Sequence, residues 1–151
     1  MHSFVFQIST EPIEVDKLVE ADNIQMDINL ADYVDDFHGN RNEAIESLVK
    51  ATDGMLQHVG NGQLIYQGGY QKYMENVISQ FKDLAATVNV DSFFNNYKLL
   101  KVLKNPMDVK FLFVSEDSNF WLEQSDVLMT IVSNLKEGDS IFIGNVFDYH
   151  F

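Results

Sequence analysis

The chain has 151 residues, 12 Phe, 6 Tyr and no cysteine. That length suits one domain, lets a folded chain bury roughly 70% of its unfolded surface, and so requires no cross-link or metal for folding. The missing cysteine excludes disulfides, thiolate metal sites and a cysteine nucleophile. Twenty-three acids against ten Lys and Arg leave a formal charge of −13, which repels nucleic-acid phosphate and anionic lipid and favours basic partners.

Phe4, Phe6 and Ile8 alternate with Val5, Gln7 and Ser9, the period of a strand. Ser9-Thr10-Glu11-Pro12 interrupts it, and residues 10–29 fit a short helix or an extended segment equally well. Leu30, Tyr33, Val34 and Phe37 recur at helical spacing. A second helix is expected from Ile45, Leu48, Val49, Thr52, Met55, Leu56 and Val59, with Asn40 or Asn42 as its cap and Gly60 at its end. His58 then lies in its last turn, where an imidazolium suits the helix dipole.

After Asn61-Gly62, residues 63–67 read as a short strand. The spacing of Tyr70, Tyr73, Met74, Val77, Ile78, Phe81, Leu84, Ala85 and Val88 predicts a helix over 70–88. Asp91 or Ser92 caps a third helix carrying Phe93, Phe94, Tyr97, Leu100 and Leu103, stopped by Asn105-Pro106. Residues 109–114 are apolar on both faces and predict a central strand. Ser125 caps a last helix with Val127, Leu128, Ile131, Val132 and Leu135. A strand at 141–143 resumes at 146–149. Strands at both ends and helices clustered between them predict an α+β single domain over 1–151, with an antiparallel or mixed sheet against three to five helices.

The acidity is uneven. Residues 1–60 hold twelve acids and three bases, an excess of nine, and the other 91 carry eleven acids and seven lysines, an excess of four. Asp32, Asp35 and Asp36 are the densest group, with His38 two residues on. On the helix expected there, the three carboxylates share a face and converge on one hard cation, with His38 adding a nitrogen. That is the alternative reading, a small metal-assisted hydrolase. The spacing matches no EF-hand loop, and a solvated helix with Tyr33, Val34 and Phe37 turned inward shows the same face.

Gly60-Asn61-Gly62 and Gly68-Gly69 lack the remaining residues of either phosphate-binding glycine motif, so no cofactor is expected. Lys98, Lys101 and Lys104 form the one basic stripe, a solvated helix face that can pair with the chain's acidic half or with a second copy in a homodimer. Trp121, the only tryptophan, sits between a strand and a helix, where it closes the core or anchors a partner. No apolar run reaches membrane-spanning length and the N-terminus lacks a basic, apolar leader, so a cytoplasmic location without membrane contact is expected. These features together predict a non-enzymatic interaction module that masks a basic protein, in the manner of an immunity protein, antitoxin or DNA mimic. The expected contacts are Asp22, Asp27, Asp32, Asp35, Asp36 and Trp121.

Overall fold

The computed structural model describes residues 1–151. Six strands and four helices follow in the order β1 (His2–Ser9), β2 (Tyr33–Asp36), α1 (Arg41–Ala51), β3 (Leu56–Gly60), β4 (Gln63–Tyr66), α2 (Tyr70–Ala85), α3 (Tyr97–Lys104), β5 (Leu112–Val114), α4 (Ser125–Ser133) and β6 (Ser140–His150). The strands form one mixed sheet ordered β3-β4-β6-β1-β5, an α+β arrangement. Long β6 is its axis. It runs antiparallel to β1 along one edge, and its other edge takes β4 against its first half and β2 against its second. β1 and β5 are the one parallel pair, with Val5 opposite Leu112 and Gln7 opposite Val114.

The alternation in β1 puts apolar groups on both faces, and each face is covered differently. Phe6 and Ile8 meet Phe113, Ile141 and Ile143 beneath α1 and α4, which contribute Ile45, Leu48, Leu128 and Val132. Val5, Leu112, Val114, Phe147 and Tyr149 face the other way, under Val19, Ile24, Ala31 and Leu122 from irregular segments. Fully burying each of these side chains stabilises the fold by about 1.5–3 kcal/mol. Segment 10–32 is thus a lid on a sheet face rather than a helix, and its regular structure is two short 3₁₀ turns at Val15–Lys17 and Ala21–Asn23.

Five sequence expectations change. Residues 33–36 are a strand, because β6 offers a free edge there and backbone pairing overrides the local helical spacing. α1 stops at Ala51, where Asp53 and Gly54 adopt positive φ of 52° and 85° and turn the chain into a β3–β4 hairpin. Asn61 and Gly62, both at positive φ, form the hairpin turn. His58 therefore sits on β3, where Nδ1 donates to Glu46 Oε1 at 2.9 Å and Nε2 accepts from the Gly62 N–H at 3.2 Å. β5 lies at the edge of the sheet, not its centre, although all three residues are buried. Its outer edge is closed by an exchange of backbone hydrogen bonds between Phe113 and Glu123, both 2.9 Å. Ser125 does not cap α4. Its hydroxyl donates to Asn105 Oδ1 at 2.7 Å and accepts from the Met107 N–H at 3.1 Å, inside the protein.

The third helix begins at Tyr97, with Phe93–Asn95 a separate 3₁₀ turn and neither Asp91 nor Ser92 capping it, and α2 ends at Ala85 rather than 88. Asn40 caps α1 by accepting from the N–H groups of Asn42 and Glu43. The two expected C-terminal strands are one strand, bent at Gly144-Asn145 where the β1 register shifts. No helix is long and apolar enough to cross a membrane.

Candidate functional site

The sheet's only parallel pair ends at Ser9 and Val114, and a groove opens beyond those carboxyl ends. Such crevices are where α/β sheets place ligands. Two adjoining clefts of about 690 and 720 Å³ make up the groove and share Lys17 and Glu116 in their walls. One wall is residues 9–17, the other is the loop 115–121, and α4 closes the back with Val127, Thr130 and Ile131.

Buried Gln7 holds the first wall in place. Its Nε2 donates to the Lys17 carbonyl at 2.8 Å, and its Oε1 accepts from the N–H groups of Val19 at 3.1 Å and Asn145 at 3.2 Å. Asn145 Nδ2 adds a bond to the Val19 carbonyl at 2.9 Å. Every polar group of the Gln7 amide facing the sheet is thereby used, which is what permits its burial. A side chain on Gly144 would collide with the Gln7 carboxamide oxygen, so the bend in β6 needs glycine there. Pairing between β6 and β1 thus determines where Asp16 and Lys17 stand at the groove mouth.

The second wall is a strained turn. Asn119 and Phe120 are consecutive left-handed residues, at φ 53° and 58°. For residues with a Cβ that conformation costs about 1–2 kcal/mol each. Phe120 is held there by its N–H to the Ser115 carbonyl at 2.9 Å, by the Gln25 N–H to its own carbonyl at 2.8 Å, and by packing on the second core. The result is that Trp121 is turned outward, 51% exposed, onto the groove. Strain of this kind concentrates at functional sites.

The groove is acidic. Glu11, Glu14, Asp16, Glu116, Asp117 and Glu123 line it, against Lys17 alone. Lys17 Nζ and Glu116 Oε1 approach to 3.9 Å across it, an exposed pair that contributes little. Glu123 is the most perturbed member. Burial chiefly, and then the Asp126 carboxylate, push its carboxyl above the usual range, against a lowering contribution from the Ser118 hydroxyl. Its Oε2 is the only buried side-chain oxygen or nitrogen without a hydrogen-bond partner. Asp126, also raised by burial, is partly neutralised by Lys104 at 3.7 Å. Perturbed carboxyls in a cleft mark a candidate site. Because polar residues form most of the lining, the groove resembles a channel for a charged chain more than an apolar small-molecule pocket.

Of the residues singled out from the sequence, only Trp121 reaches this groove. Asp32, Asp35 and Asp36 stand at the opposite end of the sheet, separated by most of β1, roughly 20 Å at 3.3 Å per residue. Strand alternation sends Asp35 and Asp36 to opposite faces, so the shared helical face expected for 32, 35 and 36 does not form. His38 is exposed in the loop that follows. Asp32 Oδ2 lies 3.1 Å from His150 Nδ1, whose ring stacks on Tyr33 at 5.5 Å. His2 pairs in parallel fashion with Asp148 at 2.9 Å. The His2–Asp148 pair ties the two ends of the chain together, the Asp32 and Tyr33 contacts tie β2 to β6, and no three His, Asp or Glu side chains converge as a metal site. Asp22 is exposed on the second 3₁₀ turn, and Asp27 Oδ1 accepts from the N–H and side-chain amide of Asn29.

The sequence signals that could have located the groove were weak ones, Glu123 two residues before Ser125 and the polar run Ser115–Asn119. Elsewhere, the loop at Gly68-Gly69 faces Glu137, whose Oε1 lies 2.5 Å from where a Gly68 Cβ would sit. An anion approaching there would meet a carboxylate. No protein-family model matches the chain, and no curated protein or solved structure shows significant similarity to it.

Proposed function

We propose that this protein is a non-enzymatic interaction module that masks a basic partner by holding a cationic segment of it in the groove between residues 9–17 and 115–123. The observation that carries this is the lining of six carboxylates against one lysine, with an unpartnered buried oxygen on Glu123. An arginine or lysine side chain supplies the donors that Oε2 lacks, in a charge-assisted bond stronger than a neutral one. Trp121 at the mouth offers a ring face to the same cations. Acids on the surrounding surface add long-range attraction, which raises the association rate and makes it salt-sensitive.

Trp121 is the only tryptophan, so its fluorescence reports on the groove directly. In the free protein its half-exposed ring gives red-shifted, quencher-accessible emission. Titration with a short arginine-rich peptide at low salt is expected to give a saturable shift and protection from quencher, both lost at high salt. Glu116→Gln with Asp117→Asn should weaken this binding, whereas Asp35→Asn with Asp36→Asn at the far end should leave it nearly unchanged. Equal weakening by both double variants would mean that overall charge, not the groove, does the binding.

A further inference from the structure

Hairpin α2–α3 carries a second surface with the opposite character. Neither helix has a fully buried residue. The start of α2 packs Tyr70, Tyr73 and Met74 on the main core, while the loop and 3₁₀ turn joining α2 to α3 stand free of it. There the chain presents Val90 and Phe94, each 94% exposed, Tyr97 at 72%, Phe93 at 63%, and Leu100 and Leu103 at 58%. Phe93 and Phe94 touch edge to face at 5.1 Å. Tyr97, Leu100 and Leu103 follow at i+3 steps and are neighbours on the helix surface. With aromatic side chains presenting about 150–250 Å² each, the strip offers on the order of 800 Å², the per-partner area of a standard interface. Monomeric proteins rarely leave a patch of that size uncovered.

Charge identifies the occupant. Lys98 and Lys101 line, together with Tyr97, a cleft shared with Gln80 and Leu84 of α2, and neither Leu100 nor Leu103 reaches it. Lys101 is paired with Asp108 at 2.8 Å and Lys104 with Asp126 at 3.7 Å, neither from the acidic first 60 residues. The lysine stripe is therefore largely neutralised within its own chain and offers little to an acidic partner. Two copies of a protein with charge −13 repel each other over most of their surface. With Lys101 and Lys104 paired within the chain, segment 90–104 is left with Asp91 against Lys98, so two copies that meet there face little net charge.

We infer that the strip Val90, Phe93, Phe94, Tyr97, Leu100 and Leu103 is the seat of a two-fold homodimer, α3 packing against α3 of a second copy. The interface is apolar and self-complementary, as an isologous contact requires. Residual repulsion between the acidic bodies is screened by salt, so the dimer tightens as salt rises. The groove complex responds in the opposite direction, so the two ideas fail separately.

Sedimentation equilibrium of the full chain over about a hundredfold range of concentration, at low and high salt, tests this. The expected result is a monomer–dimer equilibrium that strengthens with salt. Leu100→Asp and Phe94→Asp, both at exposed positions, should each weaken it about thirtyfold or more, with circular dichroism and peptide binding at the groove unchanged. A monomer at every concentration would overturn the inference, as would a dimer that weakens with salt or persists in both variants.

Discussion

Replacing Glu123 with Gln should stabilise the protein and impair it at once. Its Oε2 is buried without a hydrogen-bond partner, and an unsatisfied buried polar atom costs about 1–3 kcal/mol. The rest of the side chain is only partly buried, so the low end applies, about 1 kcal/mol. An amide brings two donors where the carboxylate brings none, beside the Asp126 carboxylate and Ser118 hydroxyl that already influence it. In a domain of this length 1 kcal/mol is worth about 2–4 °C in Tm. The gain should depend on pH with a definite sign. The folded carboxyl is raised, chiefly by burial, so it keeps its proton to higher pH than the unfolded one. Its penalty is absent below the unfolded pKa and grows as pH rises through the folded pKa. Gln's advantage is therefore largest at neutral pH and fades in acid. Peptide affinity moves the other way: losing one charge-assisted bond, about 1.5–3 kcal/mol, weakens binding roughly tenfold to a hundredfold or slightly more. Thermal unfolding at several pH values and a fluorescence titration measure both effects. A destabilised variant with unchanged affinity would refute the reasoning, because Glu123 would then be a structural carboxylate.

Ser125→Ala leaves Asn105 Oδ1 and the Met107 N–H without their buried partner, and should lower stability by about 2 kcal/mol, roughly 4–8 °C in Tm. Gly62→Ala is expected to destabilise by about 2 kcal/mol or more, since its φ is +77° and a Cβ would lie 2.5 Å from both Arg41 Nη2 and the Ile143 carbonyl; chemical denaturation gives the value. Gln7→Leu roughly keeps the volume but strips the lid of two hydrogen bonds, to Lys17 and Val19, and β6 of one, to Asn145. It should loosen residues 10–19, seen as faster amide hydrogen exchange there, and weaken peptide binding without unfolding the sheet.

How much of this was legible in the sequence depended on whether an element is determined locally. β1, α2 and α4 carry their own periodicity and were readable. Residues 33–36 were not, because Leu30, Tyr33, Val34 and Phe37 happen to fall at helical spacing while the strand exists only through pairing with His150, Tyr149, Asp148 and Phe147, over a hundred residues away. The apolar run through Met55, Leu56 and Val59 continued the α1 pattern across Gly54, and the positive φ at Asp53 and Gly54 decided against it. α3 shows a different kind of error. Its stripe was visible, but an apolar stripe is read as facing inward, and here much of it faces solvent. The groove was the least legible feature. It is assembled from residues 9–17 and 115–123, brought together by the parallel pairing of β1 with β5, and the polar run Ser115–Asn119 and Glu123 are weak local marks that do not point to residues 9–17. The charge excess of the first 60 residues was real, yet the fold divides it, sending Glu11, Glu14 and Asp16 to the groove and Asp32, Asp35 and Asp36 to the far end.

The most direct test of the central claim is to titrate the isotope-labelled protein with a short arginine-rich peptide and follow backbone amide shifts residue by residue. The groove account predicts saturable shifts in residues 9–17 and 115–123, with the Trp121 indole and Glu123 among the largest. Shifts centred instead on residues 32–36 and 148–150, or spread evenly over all exposed acids, would contradict it.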